Sequence, residues 1–186
     1  MSDTDPRKTP RITSSMMTAL AAGIVSLSAL TVSIYEAYLM REQQAASVLP
    51  IIDFWAAYST DHSYSLNLAN KGLGPAFIKH ITVDVDGEPA RSWGEVTKFL
   101  TGRRVALSES ALIGSVLAPG EAGEMLSINH EDSGTLVWRN AGRVVLGVCY
   151  CSVFGNCWTT TVEDLNTGKP VTVEAQACPS SDDTIF

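Results

Sequence analysis

Four cysteines late in the chain are the residues best suited to covalent chemistry: Cys149, Cys151, Cys157 and Cys178. Cys151 and Cys157 flank the sequence SVFGN, which favours a hairpin loop, so the two are expected opposite each other on paired strands. Such a pairing brings Cα atoms within the about 7 Å that a disulfide requires. Cys149 lies on the same strand face as Cys151. It can therefore bond Cys178 and pin the C-terminal segment to the sheet, which makes this the favoured one of the three connectivities that four cysteines allow.

Two other interpretations of the cysteines remain open. Four thiolates can bind zinc, but the spacing lacks the two CxxC pairs typical of such sites, and an oxidising compartment disfavours free thiols. A reactive pair working in redox chemistry is the third interpretation. We predict a structural disulfide framework, with no metal and no cofactor.

The histidines do not suggest an active site. His62, His80 and His130 are far apart in sequence, and no nucleophile-elbow or other serine-hydrolase motif accompanies them. Ordinary surface histidines are the simpler interpretation. No catalytic, cofactor-binding or metal-binding residue is therefore predicted, and the chain is not expected to be an enzyme.

An apolar run over residues 16–38 is the element on which the rest of the chain depends. It carries no charge before Glu36, and about 20 apolar residues suffice to cross a bilayer core. A cleaved signal peptide has an apolar core of only about 7 to 15 residues, followed at once by a small-residue cleavage site. We expect an uncleaved transmembrane helix over residues 12–40, a disordered cytoplasmic tail over residues 1–11 and a helical stalk over residues 41–49.

Basic residues determine the expected orientation. Arg7, Lys8 and Arg11 precede the span, whereas only Arg41 follows it closely and the next basic residue is Lys71. Basic residues favour the cytoplasmic side. The N-terminus should therefore be cytoplasmic and the C-terminal domain exported.

Small residues recur along one face of the predicted span, with Glu36 at its outer end. Steps of four and three place them on one helix face. Small side chains let helix backbones approach closely in lipid, which favours packing against a second copy or another membrane protein. Chance is the alternative, because small residues are common in spans. This small-residue face consists of Ser15, Ala19, Ala22, Ser26, Ala29, Ser33 and Glu36.

After Pro50 the pattern changes to short extended runs separated by turns, which predicts an exported antiparallel β-sandwich over residues 50–178. A flexible tail is expected over residues 179–186. A capping box at Ser92 and a glycine at Gly102 predict a short inserted helix, and residues 130–141 could be a helix or a loop. The predicted strands cover residues 51–58, 64–68, 77–85, 88–91, part of 105–117, 124–129, 143–153, 157–162 and 170–174.

Alternation within residues 77–85 assigns faces to that strand. The odd positions Phe77, Lys79, Ile81, Val83 and Val85 are mostly apolar and are expected to face the core. The four tryptophans are also expected in the core, because aromatic side chains dominate core burial. They are Trp55, Trp93, Trp138 and Trp158.

The turn motifs carry a resemblance. The segment NKGLGPA at residues 70–76, the strand ending DVDG at residues 84–87 and LAPGE at residues 117–121 resemble immunoglobulin-like, cell-adhesion-related bacterial β-sandwich modules. The chain is also similar to the ectodomains of single-pass bacterial membrane proteins in which a Tyr-Cys-Ser segment precedes a Cys-Trp pair, here at residues 150–152 and 157–158. The resemblance implies an immunoglobulin-like sandwich and location in a bacterial inner membrane, with the domain periplasmic or extracellular.

Charge and topology together limit the function. The net charge of −7 arises after the span, so the domain should repel nucleic acid and anionic lipid headgroups. We expect a non-enzymatic accessory or scaffolding protein that contacts a protein partner or a second copy through its helix and its sandwich. The alternative is a module that binds or senses an envelope ligand and signals through a partner. An envelope enzyme is the least favoured interpretation.

Overall fold

A computed structural model describes residues 13–180 and 186. The chain divides into two compact units, Met1–Gln44 and Ala45–Phe186. The expected tail over residues 1–11 and most of the one over residues 179–186 lie outside the described residues.

The N-terminal element is one long helix, α1, Ser14–Ser47. Its 34 residues contain no proline, and none of them is buried. At about 1.5 Å per residue the helix is about 50 Å long, well beyond the about 30 Å of a bilayer's hydrocarbon core. Among the described residues, α1 is the single helix that is long and apolar enough to span a membrane.

Among the described residues of the second unit, ten strands form two antiparallel sheets. The strands are β1 Ile52–Tyr58, β2 Tyr64–Asn70, β3 Ala76–Val85, β4 Glu88–Ala90, β5 Ser108–Glu109, β6 Val116–Leu117, β7 Ala122–Ile128, β8 Val144–Cys151, β9 Cys157–Val162 and β10 Val171–Ala175. Sheet A has the order β1-β2-β7-β5, and sheet B has the order β10-β9-β8-β3-β4, with β6 also paired to β3.

Inward side chains of both sheets meet in one core, which gives a sandwich-like arrangement. Leu66 and Leu68 of β2 belong to the same buried cluster as Leu146 and Val148 of β8. Strand β8 is buried along nearly its whole length, because it lies between β3 and β9 in the middle of sheet B. The core therefore depends on β8 and its two neighbours.

Two short helices follow strands at the margins of the sheets. Helix α2, Trp93–Thr101, begins at Ser92, whose side chain accepts a hydrogen bond from the Glu95 N–H, and ends at Gly102 in the left-handed conformation. These are the caps that the sequence predicts. Helix α3, Glu131–Asn140, occupies the region for which the sequence left helix or loop open.

The tight turn between β3 and β4 forms as predicted. Asp86 and Gly87 both have positive φ, and Val85 pairs with Glu88. Positive φ at both central residues defines the type I′ turn that suits a two-residue hairpin. Arg143 forms an ion pair with Asp86, so the turn is also attached to the residue before β8.

The face assignment within β3 is wrong at the strand's beginning. Ile78 is fully buried, Phe77 is partly exposed and Lys79 is exposed. The cause is a register shift against β8 between Ile78 and His80. A bulge of this kind adds one residue to one strand and inverts the alternation beyond it, so the prediction holds only from Ile81 onward.

Two aromatic residues also depart from expectation. Trp55 points to the outer face of sheet A and is 40 % exposed, because its position on β1 alternates with the buried Phe54. The expectation that all four tryptophans are core residues is therefore wrong for Trp55, whereas Trp93 is buried. Phe186 belongs to the expected flexible tail, yet it is buried with its ring 5.1 Å from that of Trp93.

Candidate functional site

The small-residue face lies along α1 with every one of its members exposed. Ser26 lies near the middle of this face, and its hydroxyl donates to the Ala22 carbonyl at 2.8 Å. Ser28 and Thr31, on other faces, likewise bond to carbonyls of the preceding turn. A hydroxyl bonded within its own helix needs no water. Ser26 can therefore enter lipid or pack against a second helix without an unsatisfied donor.

Aromatic and acidic side chains lie near the C-terminal end of the apolar run. Tyr35 and Tyr38 are both exposed, and the Tyr38 hydroxyl lies 3.0 Å from a carboxylate oxygen of Glu42 on the next turn. Tyrosines prefer the headgroup level of a membrane. Their position is consistent with an interface near residues 35–42.

Within the second unit, Asn70 organises the loop that follows β2, residues 70–76, here called the Asn70 loop. Its Nδ2 donates to Gly74 O at 2.7 Å and to Leu117 O at 3.0 Å. Its Oδ1 accepts from Gly72 N at 3.0 Å and from Ile51 N at 3.2 Å. Asn70 is completely buried, and its one side chain satisfies four backbone groups, of which those of Gly72, Gly74 and Leu117 belong to buried residues.

The Asn70 loop holds the segment that follows α1. Leu73 N donates to Leu49 O at 3.0 Å. A Cβ added to Gly74 would lie 1.8 Å from Val48 O, so only glycine allows this close approach. Residues 48–51 are thereby fixed to the sandwich-like domain.

The cysteines form two disulfides in the connectivity that the sequence favours. Cys149 bonds Cys178 and Cys151 bonds Cys157. The three cysteines of β8 and β9 lie on the outer face of sheet B. The neighbouring positions Tyr150 and Trp158 pair with each other across β8 and β9 on the opposite face. Cys178 brings the segment after β10 across this outer surface, here called the cysteine face.

One of the histidines regarded as isolated belongs to a polar cluster. The Tyr58 hydroxyl lies 2.6 Å from His62 Nδ1 and 2.9 Å from Thr135 Oγ1 of α3, and His62 Nε2 lies 3.4 Å from Glu131 Oε1. The Tyr58 ring stacks on Trp138 at 5.4 Å. This cluster joins the β1–β2 turn to α3, and no local sequence signal links residues so far apart.

The β1–β2 turn also contains the carboxylate of Asp61, which accepts hydrogen bonds from within the turn. Ser63 donates to Asp61 Oδ1 through its hydroxyl at 2.8 Å and its backbone N–H at 3.2 Å. These bonds lower the pKa of Asp61, the hydroxyl contributing most. They favour the ionised carboxylate that shapes the turn, in which His62 has positive φ.

An open cleft of about 440 Å³ lies beside the first turn of α3. Arg103 and Arg104, which follow α2, line it together with His130, Glu131 and Asp132. Both arginines are exposed just beyond the last turn of α2. Basic and acidic groups balance within the cleft, so its chemistry does not single out one class of ligand.

No protein-family model matches the chain, and the search of curated proteins finds no match.

Proposed function

We propose that this chain is a membrane-anchored accessory or scaffolding protein that acts by protein contact. The observation that carries the proposal is α1: 34 residues, apolar over most of their length, with none buried. Such a surface must be covered by lipid or by another protein. The small-residue face is the side on which close helix packing costs least.

In this proposal the N-terminus is cytoplasmic and the domain lies outside a bacterial inner membrane. The distribution of basic residues around the span supports the orientation. The two disulfides support it independently, because disulfides persist in oxidising compartments. Two antiparallel sheets around one core support an immunoglobulin-like sandwich as the exported module.

The test compares two sets of leucine substitutions with identical spacing. The first set replaces Ala22, Ser26, Ala29 and Ser33, and the control replaces Ala21, Val25, Ser28 and Val32, each shifted by one residue and so by about 100° around the helix. We expect the first set to abolish a crosslink formed in native membranes by a photoreactive residue at Leu30, and the control set to retain it. Equal crosslinking by the two variants and the unaltered chain would refute a role for the small-residue face.

A second candidate is a module that binds an envelope ligand. The cleft beside α3 favours it, because Arg103 and Arg104 can bind an anionic group next to a first helical turn whose N-cap residue, His130, makes no side-chain cap hydrogen bond. Titration with inorganic phosphate, followed by NMR shifts of the Arg103 and Arg104 side chains, tests this candidate. If the unaltered domain shows no such shifts at millimolar phosphate, the ligand-binding candidate is excluded.

A further inference from the structure

The two disulfides are close enough to react with each other. Cys151 Sγ lies 3.8 Å from Cys178 Sγ, although each sulfur is bonded to a different partner. With Cys157 Sγ included, three sulfurs lie within 4.8 Å of one another. Reacting atoms in a near-attack geometry are about 3 to 3.5 Å apart, so Cys151 and Cys178 need only a small displacement to reach it.

Three of the four cysteines border solvent through one pocket, although Cys151 and Cys157 are only 8 % and 7 % exposed. Cys151, Cys157 and Cys178 line an open pocket of about 560 Å³. Cys149 does not line it and is only 3 % exposed. A thiol that enters this pocket meets Cys151–Cys157 and the Cys178 end of the other bond, while Cys149 lies behind them.

We propose that the cysteine face is a thiol–disulfide exchange site whose substrate is a dithiol reductant of the envelope. The dithiol opens the Cys151–Cys157 bond, and Cys151 then takes over the bond to Cys178 from Cys149. The proposal assigns a reaction to cysteines that otherwise only staple the domain, and it does not depend on the small-residue face.

The steps balance as follows. A thiolate of the dithiol attacks Cys157 Sγ, a mixed disulfide forms, and Cys151 leaves as a thiolate. Cys151 then attacks Cys178 Sγ, so that the Cys151–Cys178 bond forms, the Cys149–Cys178 bond breaks, and Cys149 leaves as a thiolate and takes up a proton. The second thiol of the dithiol attacks its own sulfur in the mixed disulfide and releases Cys157 as a thiol. The dithiol is oxidised by two electrons, and the protein gains two thiols and keeps one disulfide.

Two residues of β3 support this reaction. Lys79 lies at the bulge, is exposed and lines the same pocket as the three sulfurs; a cation near a thiol favours the reactive thiolate. His80 pairs in register with Cys149, so the two side chains lie on one face of the sheet. Its ring Nδ1 is buried and has no hydrogen-bond partner among the described residues. A ring N–H in that place can donate a hydrogen bond to the Cys149 thiolate as it leaves and so stabilise it.

The exchange has a structural result. Cys178 stays attached to β8, but its bond moves from Cys149 to Cys151, two positions along the same strand face. The segment around Cys178 therefore shifts along the cysteine face without being released from the domain. Its new position reports whether a dithiol has reacted.

The test examines the second step, in which Cys151 attacks the Cys149–Cys178 bond, by itself. It uses the full chain in detergent with the substitution Cys157→Ser. This change leaves Cys151 as a free thiol beside an intact Cys149–Cys178 bond, so exchange needs no added reductant. After incubation at pH 8, the free thiols are alkylated and the labelled positions are identified by peptide mapping. The fraction of chains labelled at Cys149 should lie within about tenfold of the fraction labelled at Cys151. Uncatalysed rearrangement takes minutes to hours, so label on Cys151 alone after about a day would overturn the proposal.

A double variant and a second measurement keep the outcome interpretable. Cys151→Ser with Cys157→Ser has no free thiol, and Cys149 should stay unlabelled; equal labelling of Cys149 in the two variants would overturn exchange as its cause. Adding His80→Leu, which removes the ring N–H, to Cys157→Ser should slow the appearance of label on Cys149 and leave correspondingly more label on Cys151.

The unaltered chain, treated with one equivalent of a dithiol and trapped with acid, covers the case in which Cys157→Ser does not fold. Its two-thiol form should contain Cys151 bonded to Cys178. A two-thiol form that contains only one or other of the original disulfides would overturn the proposal.

Discussion

Replacing Asn70 by alanine should destabilise the sandwich-like domain more than replacing Asn67, the other asparagine of β2. The change removes four hydrogen bonds that connect the Asn70 loop, Leu117 and Ile51. A hydrogen bond contributes a net about 1 kcal/mol, and a buried group left without a partner costs about 1 to 3 kcal/mol. Because Asn70 is completely buried, we expect a loss of about 4 kcal/mol in the free energy of unfolding.

The measurement is urea unfolding of residues 45–186, with both disulfides intact, followed by tryptophan fluorescence. Asn67→Ala is the matched control. Asn67 lies on the same strand, is only partly buried and donates a side-chain hydrogen bond to Ser65 Oγ at 3.1 Å. Its replacement should therefore cost about 1 kcal/mol or less. Asn70→Asp should be as damaging as alanine at neutral pH, because a carboxylate oxygen would face the carbonyls of Gly74 and Leu117. A loss below about 1.5 kcal/mol for Asn70→Ala, or equal losses at positions 67 and 70, would refute this account of the loop.

Two further predictions concern the disulfides and the β3–β4 turn. Replacing Cys149 and Cys178 by serine opens a loop with a sequence separation of 29, and replacing Cys151 and Cys157 opens one of 6. The chain-entropy relation predicts that the free energy of unfolding falls by about 3.5 and about 2 kcal/mol, respectively. Calorimetry that finds the larger loss for the Cys151–Cys157 bond would contradict this prediction. The hydrogen bonds from Arg143 lower the pKa of Asp86, so the stability that this carboxylate adds is complete above its unfolded pKa of about 3.9 and is lost as pH falls through the lower folded value. The difference in unfolding free energy between the unaltered domain and Asp86→Asn should therefore shrink from pH 6 to pH 2, and a difference independent of pH would disprove the link.

Much of the strand pattern could be predicted because its signals are local. The Asp86–Gly87 turn requires positive φ, which those two residue types tolerate, and the caps of α2 lie within its own sequence. The cysteine pairing was also predictable, since a short hairpin places Cys151 opposite Cys157 and leaves Cys149 for Cys178.

What escaped prediction depends on distant segments. Ile78 N donates to Ser115 O, and Gly114 N donates to Ile78 O, so a segment far along the chain engages β3 where the bulge occurs. The alternation of apolar and polar residues within β3 does not indicate that contact. The exposure of Lys79 beside the cysteine face follows from the bulge, and the sequence could not reveal it either.

The pairing of β3 with β8 has a consequence for how the domain is made. Phe77 pairs with Cys151 and Val85 with Val144, so the centre of sheet B joins segments separated by α2, β7 and α3. If the domain emerges from its N-terminal end, during synthesis or transport, β3 stays without its partner until most of the domain has emerged. Long-range pairing of this kind folds slowly and leaves an apolar strand unpaired in the meantime. A holding chaperone would then act on this protein during the interval between the appearance of β3 and the arrival of β8.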